Sequence, residues 1–339
     1  QVPVLTPPRA TLRAAMKSTA ATPTFRDRIE GVLVCLLVGD ALGVPYEFHG
    51  PRDLPPRDRI DMIPPRDFAR AHTTAPPGTW SDDGAQALCL LESLLECGRF
   101  DIDDFGRRLL RWIDDGHLAV DAHVFDYGGA THDALVRLRR GTSPESSGCT
   151  DEHSNGNGSL MRVLPLALWH RGSDEDLVEL ARRQSLPTHA HPRSQVACAL
   201  YCLVARGLLK ETPEPVVWAE QRLSAIYAAA RAGANAREQG DEHSCELERI
   251  LTSGLRTQPV GMGYVVDTLW SALRCLDEPS YEDVVRAAVA LGHDTDTTAC
   301  VAGGLAGIRF GVHAIPARWR EALRGRELYG PLLERLGRS

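Results

Sequence analysis

An all-α fold is what the sequence predicts, and three observations carry it. From Phe25 onward apolar residues recur at helical spacing, glycine and proline punctuate the segments, and strand-like alternation persists nowhere. The hydrophobic fraction of 43% is ample for a sizeable core built from those helices.

The elements follow in order. "RIEGVLVCLLVGDALG" (28–43) is almost wholly apolar, which places it inside the molecule, and Gly43 with Pro45 ends it. "DDGAQALCLLESLLECG" (82–98) spans about four turns and stops at a glycine. "FGRRLLRWIDDG" (105–116), "ATHDALVRLRRG" (130–141), "SLMRVLPLALWHRG" (159–172), "DEDLVELARRQS" (174–185) and "PRSQVACALYCLVARGLL" (192–209) continue at helical spacing. Then come "PVVWAEQRLSAIYAAARAG" (215–233), "GYVVDTLWSALRCLDE" (263–278), "YEDVVRAAVALG" (281–292), "TTACVAGGLAGIRFG" (297–311) and "PARWREALRGRELYGPLLERL" (316–336).

Three stretches break the rhythm. Residues 50–79 hold seven prolines, 141–158 are polar and glycine-rich, and 234–246 are polar; loops of this length in a helical chain tend to be functional or mobile. Residues 1–24 carry Arg9, Arg13 and Lys17 and no acid, so a flexible basic arm is expected ahead of one helical domain at 25–339. No linker divides that domain, and no solenoid repeat appears in it.

The net charge of −7 is spread over both halves, which argues against a general nucleic-acid or membrane binder. The nine cysteines are odd in number, scattered, and without a CxxC pair; buried free thiols are expected. No apolar stretch approaches the ~20 residues of a membrane helix. The first residues lack a signal-peptide apolar core, so cytoplasmic residence is expected.

Two acidic joints stand out. "GTWSDDGAQALCLL" sets Ser81 at a helix N-cap with Asp82 and Asp83 in the first turn, which by itself reads as ordinary capping. "GHDTDTTAC" exceeds that need: Asp294, Thr295, Asp296, Thr297 and Thr298 crowd one helix entrance. Two unit charges ~4 Å apart repel by ~4 kcal/mol at an effective dielectric of 20. If the joints face each other, their carboxylates require cations between them. Oxygen-only ligands select hard divalent ions, Mg²⁺ or Mn²⁺, and so many acids suit two ions better than one. "NGNGSLMR" adds glycines before a helix start, where backbone N–H groups approach an anion, although a plain turn capped by Ser159 has the same pattern.

These segments together resemble the ADP-ribosylglycohydrolases, the group that includes the dinitrogenase reductase-activating glycohydrolase. The markers run in order from about Phe25 to about Gly325: "GVLVCLLVGDALGVPYEF", "GTWSDDGAQALCLL", "GNGSLMRVLPLAL", "GYVVDTLWSALRCL" and "GHDTDTTACVAGGLAGIRFG". The resemblance implies an orthogonally packed helical domain with a two-metal centre between helices. It implies metal ligands at Ser81, Asp82, Asp83, Asp294, Asp296 and Thr297. It implies a substrate wall at Gly156, Asn157, Gly158, Ser159, Met161, His189, Gly261 and Tyr264, and Glu47 on a movable loop with the proline-rich stretch as a lid. Ser81, Gly84 and His293 depart from the commoner residues of the pattern.

The activity so implied is hydrolysis of the bond joining ADP-ribose to an acceptor, foremost arginine on an ADP-ribosylated protein, with Asp82, Asp83 or Glu47 taking the proton of water. A second reading is an immunity or regulatory protein that blocks an ADP-ribosylating toxin or transferase through its N-terminal arm. A third, a non-catalytic structural relative, has no use for the retained acid sets.

Overall fold

The computed structural model describes residues 25–232 and 237–338. The basic arm expected at 1–24 lies outside them. Its α-helices are α1 Phe25–Gly43, α2 Asp82–Cys97, α3 Ile102–Asp115, α4 Gly129–Arg139, α5 Pro144–Ser147, α6 Leu164–Trp169, α7 Asp174–Arg183 and α8 Pro192–Leu209. They continue as α9 Pro215–Ala232, α10 Arg237–Thr252, α11 Val265–Cys275, α12 Tyr281–Val289, α13 Thr295–Phe310, α14 Ala317–Ala322 and α15 Arg326–Leu336. Among the described residues there is no strand, only isolated bridges pairing Cys149 with His189 and Gly156 with Tyr264. None of the described helices is long and apolar enough to cross a membrane.

The centre of the molecule is the pair α1 and α13, buried on every face over 31–43 and 295–308. Their closeness is a glycine effect. A Cβ added at Gly39 would stand 2.1 Å from the Ala299 carbonyl oxygen, and one at Gly43 would stand 2.3 Å from Asp296 Cα. Gly303 and Gly307 repeat the device from α13, facing Cys35 and Gly31. Gly31, Cys35, Gly39 and Gly43 are four apart, so they form one ridge of α1. The backbones can therefore nearly touch, and this places Asp40 of α1 beside the start of α13.

Helix ends follow local chemistry. Ser81 caps α2 by accepting from the Asp83 N–H, and Gly98 closes it in the left-handed region at φ +64. Three expected segments differ. The 159–172 stretch is helical only over α6, because Pro165 suits a first turn and the residues before it form turns instead. The 316–336 segment splits into α14 and α15 at Gly325, φ +67. Most of the 234–246 stretch belongs to α10, whose Leu247 and Ile250 are buried one turn apart; the polar start of that helix hid its period.

The proline-rich stretch 50–79 is irregular, as expected, but fastened. Ile60 and Met62 are buried, Arg286 donates to the Ile60 carbonyl, and Asp61 accepts from Trp319 Nε1 at 2.6 Å. The expected lid is thus tied to α12 and α14. The nine cysteines are all free, six of them buried.

Candidate active site

The two acidic joints meet. Thr297 Oγ1 of α13 donates to Asp83 Oδ1 of α2 at 3.3 Å, across 214 residues of sequence. Asp40 joins them from α1: its carboxylate accepts from the Ser81 N–H at 2.9 Å and the Gly84 N–H at 2.8 Å, fixing the α2 entrance. Gln86, one turn on, donates to Asp82 Oδ2 at 3.0 Å and is itself held by the fully buried Arg162 at 2.7 Å. Asn157 donates to Asp294 Oδ2 at 2.8 Å and to Thr268 Oγ1 at 3.0 Å, so its amide is spent on orienting an acid.

Not every oxygen is so provided for. Asp83 Oδ2, Asp294 Oδ1 and both carboxylate oxygens of Asp296 are buried without a hydrogen-bond partner. A buried charge without partner is expensive, so these atoms call for a ligand that accepts lone pairs. Ligand atoms of Asp40, Asp83 and Asp296 lie within 4.8 Å of one another, as do those of Glu47, Asp294 and Asp296. Asp296 belongs to both groups. Hard carboxylate and hydroxyl oxygens in this number fit divalent cations, and the acidic clusters can hold them.

Crowding appears in the protonation equilibria. Burial first, then the Asp296, Asp294 and Asp82 charges, pushes Glu47 up to about 11. Burial raises Asp40 to about 7, and burial with the Glu47 and Asp82 charges raises Asp126 to about 10. Burial and neighbouring acids raise Asp82, Asp83 and Asp296 well above the carboxylate range. Burial raises Asp294 too, against the hydrogen bond from Asn157. Burial, with the Arg162 charge, lowers His189 to about 3, so its ring is neutral and serves only as a hydrogen-bond partner.

Above the acids opens a cavity of about 520 Å³ lined by Glu47, Asp82, Asp83, Asp294, Thr297, Gly156, Asn157, Gly158, Met161 and His189, among others. Ser81 and Asp296 are buried and are not part of its wall. Three residues expected against substrate are not on that wall. Ser159 is fully buried and its hydroxyl accepts from Ser185 Oγ at 2.8 Å, because the turn before α6 points it toward the core. Gly261, at φ +77, uses its carbonyl to accept the Asp294 N–H at 3.0 Å. Tyr264 occupies the N-cap position of α11 without a cap bond, and its hydroxyl accepts from Arg193, 3.2 Å away, in a separate depression. Glu47 is buried and pinned rather than on a free loop: its Oε2 lies 2.5 Å from His72 Nε2.

Sequence reasoning missed Asp40, His72 and Asp126. His72 lies 3.6 Å from Asp126, and these two with Glu47 form a third group of close ligand atoms. Asp40 had a signal: an acid within the apolar run of a helix is tolerated only where something satisfies it. His72 and Asp126 sit in irregular segments and had none.

A family model described as ADP-ribosylglycohydrolase matches residues 21–339. An ADP-ribosylarginine hydrolase Tri1 from Pseudomonas putida is 33% identical, over 87% of this chain and 74% of its own. The protein of the same name from Serratia proteamaculans is 30% identical, over 91% and 79%. A solved structure described as an ADP-ribosylglycohydrolase-related protein complex superposes with a TM-score of 0.70 at 34% identity, covering 93% of this chain and 98% of the other.

Proposed function

The chain belongs to the ADP-ribosylglycohydrolase family, and from that premise we propose that it releases ADP-ribose from arginine side chains of modified proteins. The relatives at 30% and 33% identity carry the name ADP-ribosylarginine hydrolase, which supports arginine as the acceptor. The single observation behind the catalytic reading is the convergence of Asp83 with Thr297 and Asp296, several of whose oxygens have no protein partner.

Ser81, Asp82, Asp83, Asp294, Asp296 and Thr297 are proposed to hold two divalent cations, Mg²⁺ or Mn²⁺, with Asp40 orienting the α2 entrance. Bound there, such ions supply positive charge that neutralises the acids and acidifies water. The rest is the work of the chain. Gly156, Gly158, Met161 and His189 form the wall against which ADP-ribose rests. The cavity holds the anomeric carbon near the acids, and Asp82, Asp83 or Glu47 takes the proton of the attacking water. Positive charge growing on the ribose ring is stabilised by the surrounding carboxylates. Residues 25–339 are read as the catalytic unit and 1–24 as an appended arm.

The test is incubation with arginine-linked and serine-linked ADP-ribosyl peptides, with and without Mg²⁺ or Mn²⁺, followed by detection of free ADP-ribose. Metal-dependent release from the arginine-linked peptide is expected. Release from the serine-linked peptide alone overturns the acceptor, and release from neither overturns the activity.

A further inference from the structure

Phe48 stands where core packing does not account for it. Its neighbour Glu47 is buried, yet Phe48 is 72% exposed on the cavity wall. Its φ of +64 lies in the left-handed region that a bulky residue rarely adopts. Two short backbone bonds hold it there: the Phe48 N–H donates to the His293 carbonyl, and the His293 N–H to the His49 carbonyl, each at 2.7 Å. A ladder of rings braces it from behind. Phe48 to His72 is 5.4 Å between centroids, His72 to Phe125 is 5.1 Å, and Phe125 to His123 is 5.1 Å. The fold therefore fixes an aromatic ring at the cavity and leaves it wet.

The acceptor oxygens around the ring say what suits it. Glu47 and Asp126 reach the same histidine rung, at 2.5 and 3.6 Å, so two carboxyl groups border the platform. No cation among the described cavity-lining side chains answers them; His153 and His189 are the basic residues there, and His189 is buried beside Arg162. A ring face edged with carboxyl groups is complementary to a flat cation, which stacks on the ring and donates to the acids.

We propose that Phe48 is the acceptor-side specificity residue: its ring receives the planar guanidinium to which ADP-ribose is attached, and it contributes nothing to holding ADP-ribose itself. This rests on the arginine reading above. A serine-linked acceptor offers no flat cation, so the platform favours arginine.

The experiment uses the metal-loaded protein and two ligands. Steady-state kinetics on an arginine-linked ADP-ribosyl peptide reports the acceptor, and inhibition by free ADP-ribose reports the nucleotide. Phe48→Ala should raise KM for the peptide about tenfold, the size of a partly desolvated cation–π contact, and leave inhibition by ADP-ribose within about twofold. Phe48→Trp should keep the low KM. Phe48→Gly should lose acceptor affinity as Phe48→Ala does, yet melt no lower than the unaltered protein, because glycine accepts a positive φ. Equal weakening for both ligands, a lowered melting temperature in Phe48→Gly, or an unmoved KM in Phe48→Ala would each overturn the assignment. If the unaltered protein leaves the arginine-linked peptide uncleaved, the arginine reading falls. That uncleaved peptide then competes against labelled ADP-ribose on both proteins, and equal affinity overturns the platform too.

Discussion

The entrances of α2 and α13 carry the same kind of side chains and are satisfied by the protein to different degrees. At α2, Ser81 caps the helix, Asp40 satisfies two backbone N–H groups, and Gln86 engages Asp82. At α13, Asp294 occupies the N-cap position without making a cap bond, and Asp296 in the first turn has both oxygens orphaned. Helix starts favour acids, so electrostatics at the dipole explains both sets equally. Only the hydrogen-bond accounting separates them. The α2 entrance is largely completed within the protein, with Asp83 Oδ2 left over, and acts as a mount; the α13 entrance leaves Asp294 Oδ1 and both Asp296 oxygens without partners and is complete only with something cationic from outside.

Changes at the open entrance should have the largest effects. Asp296→Asn is expected to reduce ADP-ribose release by at least ~10³-fold while the metal-free protein melts no lower, since an uncompensated buried acid has been removed. Activity assays and thermal melts with and without Mg²⁺ check both halves. Asn157→Ala frees Asp294 from its orienting amide, and the expected cost is about 10–100-fold in metal affinity, read by titration with Mn²⁺. A loss confined to ADP-ribose binding would instead make Asn157 a substrate contact.

Gly39→Ala probes how the two entrances are brought together. Its Cβ would meet the Ala299 carbonyl, and a destabilisation of about 1–3 kcal/mol is expected from overpacking, seen as a lowered melting temperature. Metal affinity should fall with it if the approach of α1 to α13 sets the ligand spacing.

The smallest effect is on pH dependence. Asp40 and Glu47 have folded values of about 7 and about 11, raised above their ordinary 3.8 and 4.5. The folded state therefore keeps protons that the unfolded chain has released, and stability is fully present below the unfolded values and falls as pH rises through the raised ones. Metal-free protein should lose on the order of 1 kcal/mol per pH unit between pH 5 and 8. Saturating Mg²⁺ should flatten that slope. A metal-free protein that gains stability over this range would contradict the picture of unpartnered acids.

How legible this was from sequence depends on the range of each cause. The α2 start could be read because capping is local: Ser81 and the acids after it lie within one turn. Of the two acidic patterns only that at 294–298 read as unusual, since it exceeds what a cap requires, whereas Ser81 with its two acids read as ordinary capping. That Asp83 and Thr297 meet was supplied by the family resemblance and not by the residues alone, because it depends on Gly39 and Gly43 admitting α13 at backbone contact, and glycine in an apolar run has many meanings. Ser159 was put on the substrate wall by the resemblance, whereas the turn ahead of α6 points its hydroxyl inward to Ser185. Tyr264 was put on the same wall by the resemblance; Arg193, 71 residues away in sequence, draws its hydroxyl elsewhere.

Calorimetric titration of metal-free protein with Mn²⁺, beside Asp296→Ala, tests the central contrast most directly. Two ions per unaltered chain, with fewer in the variant and a melting temperature that no longer responds to metal, is the predicted result. Equal binding by both proteins, or none by the unaltered chain, would contradict it.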